Sequence, residues 1–276
     1  MRASKMISAI VLAMILATGF MLETKLNEYR AEVQDKQDIS EVAKSDGKEI
    51  NFSALKGINP DLLGWIYLED TQIDYPVVQG ETNEEYLHKG FDGTYSFPGS
   101  IFVDADCRTP FEGFNTIVYG HHMSSGAMFA GLEKYKDREF FDAHPDITFI
   151  REDGHYRIRV AAFLNEREDS EIYSHANSAE DREKFLSLVE SRSINRSDVI
   201  LNESDTLVTL STCAYEFKNA RYIVVGKLER EEKKTSILPD TENSANIWLY
   251  AQIGVGSIML ALTADMLRSL LRKKRN

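Results

Sequence analysis

The run Thr206-Leu-Val-Thr-Leu-Ser-Thr-Cys213 reads as a β-strand. Aliphatic and β-branched residues fill it, and no Gly, Pro or Lys interrupts it. Side chains alternate across a strand, which places Leu207, Thr209, Ser211 and Cys213 on one face. After residues 214–220 a second strand-like run begins, Arg221-Tyr-Ile-Val-Val-Gly-Lys-Leu228. Paired as a hairpin, the two runs bring Cys213 and Arg221 to the same end of neighbouring strands. A thiol and a permanent cation then face one cleft, as a nucleophile and an anion-stabilising partner would. The rest of the chain has to extend this sheet and supply a base.

Six further runs have strand character: Gly64–Leu68, Ile73–Val78, Ser100–Val103, Asn115–Tyr119, Asp146–Arg151 and His155–Leu164. A polar turn at 69–72 joins the first two, and Asp153-Gly154 joins the last two. Helical patterns fall at Asn83–His88 (short and capped), Ala127–Tyr135, Asp137–Ala143 and Ala179–Arg192, where Phe185, Leu186 and Val189 form the apolar side. Asn59-Pro60-Asp61 marks a turn or helix start, and residues 165–178 a long polar loop. About eight short strands with interspersed helices predict a mainly β barrel decorated by helices.

The ends are different. Arg2 and Lys5 precede the uncharged run Met6–Leu22, which suits an uncleaved membrane anchor or a signal peptide cut near Ala17-Thr-Gly19. Ile247–Ala264 is also uncharged and is followed by Arg268 and Arg272-Lys-Lys-Arg275. Basic residues beside an apolar run mark its cytoplasmic side, so both ends read as spans with the domain between them outside. A buried amphipathic helix is the other reading of the C-terminal run. The expected segments are 1–22 (anchor), 23–51 (charged helical stalk), 52–228 (catalytic domain), 229–246 (linker), 247–267 (second span) and 268–276 (basic tail). The net charge of −12 argues against a nucleic-acid partner.

A thiol of ordinary pKa, about 8.5, is mostly protonated at neutral pH and needs a base. Among six histidines, His121 and His122 follow Gly120 directly after a strand, where catalytic groups are commonly presented. A doublet can face two directions, so at most one of the two is expected to reach the thiol. His88, His144, His155 and His175 read as surface residues. No CxxC or HxxxH spacing suggests zinc, no cofactor is implied, and Asp104 with Asp106 is a weak cation pattern. Arg221 can donate hydrogen bonds to an oxyanion but cannot serve as a base. A Cys107–Cys213 disulfide is the structural alternative for the thiol.

The segment Thr209-Leu-Ser-Thr-Cys213 resembles the TLxTC signature of sortases, membrane-anchored bacterial cysteine transpeptidases. Tyr119-Gly-His121 before it and Arg221 after it follow the family's His…Cys…Arg order. Residues 59–66, Ile73–Gln79, Tyr86-Leu87, Phe91-Asp92 and Gly99–Phe102 look like the class B branch. The resemblance covers about residues 55 to 228.

It implies a closed eight-stranded sortase-type barrel. By position it implies Cys213 as nucleophile, His121 as general acid/base, His122 as bystander, and Arg221 as holder of the carbonyl or oxyanion. Ser211, Asn83, Leu87 and Tyr173 would line the substrate groove. The implied reaction cuts a C-terminal sorting signal after Thr through a thioester and passes the acyl group to an amine. Partners would be surface proteins or pilins bearing that signal, and an acceptor from a peptidoglycan precursor or a pilin lysine. A C-terminal span is more like pilus-building class C sortases, although no lid of that class precedes the barrel. Hydrolysis by a thiol endopeptidase and a catalytically silent binding barrel are the competing functions.

Overall fold

The computed structural model describes residues 14–15, 18–23, 37, 39–43 and 49–231. Most of the expected N-terminal anchor and stalk, the linker beyond residue 231 and the C-terminal span lie outside them. Among the described residues no helix is long and apolar enough to cross a membrane.

Helix α1 (Phe52–Ile58) is capped by Asn51, whose side chain accepts from the Ala54 amide at 3.0 Å. Asn59 closes this helix rather than opening one. Pro60 lacks an N–H and disfavours helix in the residue before it, so the chain turns there into a strand. The strands are β1 (Leu62–Tyr67), β2 (Asp74–Val78), β3 (Ile101–Val103), β4 (Asn115–Tyr119), β5 (Asp146–Arg151), β6 (Gly154–Arg167), β7 (Asn195–Arg196), β8 (Leu207–Cys213) and β9 (Ala220–Arg230). They hydrogen-bond in the order β5-β1-β2-β3-β4-β8-β9-β6, and β5 pairs again with β6 to close an eight-stranded barrel. The eight runs expected from sequence are these eight staves.

The pairing is mixed. β2 runs parallel to β3 and β4 runs parallel to β8, while the other pairs are antiparallel. β6 is longer than its sequence pattern. A register shift between Val160 and Ala162 divides the part paired with β5 from the part paired with the two-residue β7. Such bulges bend a strand and let one stave serve two neighbours. β7 has no sequence signal, because two residues carry no periodicity.

Alternation along β8 and β9 sorts their side chains into two cores. Val208, Leu210, Tyr222 and Val224 point into the barrel, where Phe129, Phe149 and Phe163 are buried with them. Leu207, Ile223 and Val225 point outward and pack with Phe185 and Val189 of α3 (Ala179–Arg192). Ser178 caps α3, and Glu180 and Asp181 sit in its first turn, where carboxylates favour the helix dipole. Each large apolar side chain removed from water here contributes about 2 kcal/mol. Cys213 and Arg221 share the outward parity of these strands, so the barrel presents them on its outer face.

Residues Ala127–Tyr135, expected as a helix, form a 3-10 helix at Phe129–Lys136. α2 (Arg138–Ala143) follows it, with Asp137 accepting from the Glu139 and Phe140 amides.

Candidate active site

β4 and β8 are parallel neighbours, with Tyr119 opposite Ser211, so both end at the same rim of the barrel. The Gly120 amide donates to the Ser211 carbonyl at 3.1 Å and extends the ladder by one step. His121 therefore leaves β4 level with the end of β8, where Cys213 sits. β9 is antiparallel to β8, so its first residues lie at that rim too, with Arg221 directly opposite Cys213. Two parallel ends and one antiparallel start bring base, thiol and cation together.

Gly120 is required at this junction. A Cβ there would lie 2.5 Å from Ile101 Cδ1 and 2.7 Å from Phe129 Cγ. The following backbone is held by the Phe129 amide, which donates to the His121 carbonyl at 3.0 Å.

A cavity of about 270 Å³ is lined by Cys213, His121 and Arg221 together with Ser211, Thr212, Tyr119 and Phe102. Asn83, Glu84, Leu87, Tyr173 and Glu168 complete its walls. All seven residues singled out from sequence open onto it. The Tyr173 and Ser211 hydroxyls share a hydrogen bond of 2.7 Å, and the Tyr173 ring stacks on Tyr119 at 6.1 Å. Burial raises the Tyr173 phenol to about 12, so it stays protonated and able to donate. His122 turns elsewhere, to Glu133 Oε2 at 3.2 Å and edge-on to Tyr215. Both cysteines are free, so the disulfide alternative is not realised.

His121 Nε2 lies 3.0 Å from the Leu87 carbonyl. A carbonyl only accepts, so Nε2 carries the proton and Nδ1 of the neutral ring keeps its lone pair. Burial pushes the imidazole pKa below its ordinary value, the Leu87 carbonyl opposes this, and His88 adds to the lowering. A neutral imidazole is the form that can accept a thiol proton.

The expected capped helix at Asn83–His88 is corrected. A 3-10 turn, Glu85–Leu87, stands there without a side-chain cap. Asn83 instead reaches across, donating to Asp104 Oδ2 at 3.1 Å and accepting from the Ala105 amide at 2.8 Å. Asn is a helix-start residue only when its own N2 or N3 amide is the best donor in reach. The loop at Asp104 outcompetes them. Gly99, at φ +60°, lets the chain pass under this turn, since a Cβ would meet the Leu87 and Tyr86 carbonyls at 2.4 Å.

A sortase domain model matches residues 66–229 of this chain. This chain belongs to the sortase family. Sortase B of Listeria monocytogenes is 32% identical over 237 residues, spanning 81% of this chain and 96% of that protein. Sortase B of Staphylococcus aureus is 37% identical over 180 residues, 64% of this chain and 74% of that protein. The crystal structure of Clostridium perfringens sortase B superposes with a TM-score of 0.61 at 41% identity, covering 64% of this chain and 98% of that one. The protein is a class B-like sortase, a cysteine transpeptidase.

Several residues of this sortase's site have no sequence signal. His88, read as a surface residue, is exposed but lies face to face with His121, with ring centroids 5.7 Å apart. Its own Nδ1 is 3.2 Å from the Phe97 carbonyl. His175, also read as surface, is half-buried: Nε2 is 3.3 Å from Asp104 Oδ1 and Nδ1 is 3.2 Å from the Asn115 carbonyl. His144 and His155 are half-buried as well, and His144 stacks on Phe140 at 3.8 Å. Asp104 also accepts from the Tyr119 hydroxyl at 2.9 Å and the Asp106 amide at 2.9 Å. Burial alone would raise its carboxyl. His175, the Asp106 amide, Tyr119 and Asn83 overcome this and hold it down at about 2. Both Asp104 oxygens of the suggested cation pattern are thus filled by protein donors. Asp104 and Asp106 are not paired ligands but the two ends of one turn. Glu168 grips Arg221. The His88–His121, His175–Asp104 and Glu168–Arg221 partnerships join residues far apart in sequence, and a polar loop residue looks the same whether it is solvated or netted.

Proposed function

We propose that the protein cleaves a C-terminal sorting signal between Thr and the next residue and joins the new carboxyl end to an amine, attaching surface proteins to the cell wall. The observation that carries this reading is the meeting of Cys213, His121 and Arg221 in one cavity with Ser211, Asn83, Leu87 and Tyr173 around it. The kinship with sortase B proteins supports the substrate class.

In this reading the Cys213 thiol gives its proton to His121 and the thiolate attacks the Thr carbonyl carbon. Arg221 donates hydrogen bonds to the oxyanion that forms, where fixed donors do most for the barrier. The peptide C–N bond breaks, and the leaving amine takes the proton from the His121 imidazolium. A thioester remains. The acceptor amine then attacks it and loses a proton to His121, and the thiolate leaves as the new amide closes. The acceptor is a cross-bridge amine of the cell-wall precursor. A pilin lysine would satisfy the same chemistry. The catalytic domain works on the outer face of the membrane, with Met6–Leu22 and the Ile247–Ala264 region as anchors, as their basic flanks suggest.

The test is incubation with a labelled sorting-signal peptide, alone, with triglycine, and with a lysine-bearing pilin peptide. A ligated product that requires an amine and vanishes in Cys213→Ala supports the reading. Cleavage at the same rate with water alone and no ligated product would overturn it in favour of a hydrolase. Full activity in Cys213→Ala would remove the site itself.

A further inference from the structure

Arg221 faces two carboxylates. Glu166 is directly opposite it in the β6–β9 ladder, and Glu168 follows two residues further, on the same side of the strand direction. Glu166 is taken up elsewhere: Arg192 Nη1 donates to its Oε2 at 3.0 Å and the Ser170 hydroxyl donates to the same oxygen at 2.9 Å. Glu168 is the partner Arg221 has, with Nη2 donating to Oε2 at 2.7 Å. Nη1 is held by the Ala220 carbonyl at 3.0 Å.

Glu168 is itself held. Its amide donates to the Asn219 carbonyl at 3.0 Å, and the Asn219 side-chain amide donates to Oε1. Asn219 sits at φ +61° in the β8–β9 turn, a conformation Asn tolerates better than most residues. The hairpin that ends in Cys213 thus carries, in its turn, the residue that fixes the carboxylate that fixes the arginine. Glu168 and Arg221 both line the cavity with Cys213.

We infer that Glu168 is a positioning residue for acyl transfer: anchored by Asn219, it orients the Arg221 guanidinium that meets the developing oxyanion beside Cys213. An arginine on a long flexible stem loses much of its value as an oxyanion donor unless something fixes its plane. The Glu168 carboxylate and the Ala220 carbonyl each take one guanidinium N–H and fix its plane, which leaves the remaining N–H groups to donate. The alternative, a brake that withholds Arg221 from substrate, predicts the opposite sign.

This rests on Cys213 and Arg221 acting as proposed above. The experiment is a kinetic cycle on the acylation step with a sorting-signal peptide, comparing wild type, Glu168→Gln, Arg221→Ala and the double variant. Glu168→Gln is expected to lower kcat about tenfold with KM within about twofold, because the lost interaction belongs to the transition state. On the Arg221→Ala background the same change is expected to do nothing further, since Glu168 acts through Arg221. Asn219→Gly keeps the left-handed turn, removes the anchor, and should fall between wild type and Glu168→Gln. Should Glu168→Gln fail to fold, Asn219→Gly answers the same question alone. Wild-type or faster turnover in these variants, or an equal loss on both backgrounds, would overturn the inference while wild-type thioester formation leaves the sortase reading standing. Absence of thioester in the wild type would instead strike that reading.

Discussion

The molecule holds two places where a cysteine thiol and an imidazole meet, and they have opposite characters. At the barrel rim, Cys213 shares a cavity with His121, whose ring is neutral because burial disfavours its charge. Behind the groove, buried Cys107 lies against His175, whose ring is held protonated, at about 10, first by Asp104 and then by the Cys107 sulfur. The residue types are nearly the same. The difference is the carboxylate: Asp104 sits within hydrogen-bond reach of His175, whereas His121 meets only a carbonyl at Nε2. A neutral imidazole can take a proton. One locked as a cation can only hold a structure together. The His175–Asp104 pair also carries Asn83 and Tyr119, both walls of the catalytic cavity, so it is scaffolding for the site it resembles.

The sharpest way to break that contrast is to remove each thiol in turn. Cys213→Ala should lower ligated product by on the order of a thousandfold or more while the melting temperature stays close to wild type. Cys107→Ala should keep kcat within about twofold and cost about 1 kcal/mol of stability, the size of a small core truncation. Equal losses of activity would erase the distinction. Both are read from ligation rates and thermal melts.

Removing the charged ring comes next. His175→Gln should cost about 2–3 kcal/mol, because it leaves Asp104 short of its strongest partner in a largely buried setting. The pH dependence has a definite sign. His175 has its pKa raised from the ordinary 6.5 to about 10 on folding, so its stabilisation is complete below about pH 6.5 and is lost as pH rises through about 10. Denaturant midpoints for wild type should fall across that window, and those for His175→Gln should stay flat.

Asp104 tests the same pair from the acid side. Its carboxyl is lowered to about 2, so its contribution is present above about pH 4 and disappears as pH falls toward 2. Asp104→Asn should lose that acid limb and lower stability at neutral pH by about 2 kcal/mol. Its KM for the sorting signal should rise as well, because the Asn83 and Tyr119 walls relax. An acid limb identical to wild type would show that the network is not the one described.

The smallest effect is expected at His88. His88→Ala removes a stacked ring and a nearby imidazole, both of which keep His121 neutral. The acid limb of the kcat/KM profile should move to higher pH, with kcat on its plateau nearly unchanged. No movement would mean the stack is incidental.

Much of the barrel was legible beforehand, because each stave is a local pattern. Asn115–Tyr119, Asp146–Arg151 and Ala179–Arg192 have the bounds read from alternation and periodicity alone. The errors are where a side chain chose a distant partner over a near one. Asn83 looked like a cap and serves the Asp104 loop. His175 looked solvated and is ion-paired. The segment after residue 164 looked like a loop, but it continues as strand to Arg167 because β9 offers it a ladder partner.

By itself the sequence determined the eight staves, the placing of Cys213 and Arg221 at one hairpin end and the presentation of His121 after Gly120. Periodicity and motif spacing are properties of neighbouring residues. Only the tertiary structure decided which imidazole is neutral and which is charged, that Asn83 faces Asp104, and that Glu168 rather than Glu166 takes Arg221. Those outcomes depend on burial and on contacts between residues far apart in the chain, and the pKa of a side chain is set by what surrounds it in space.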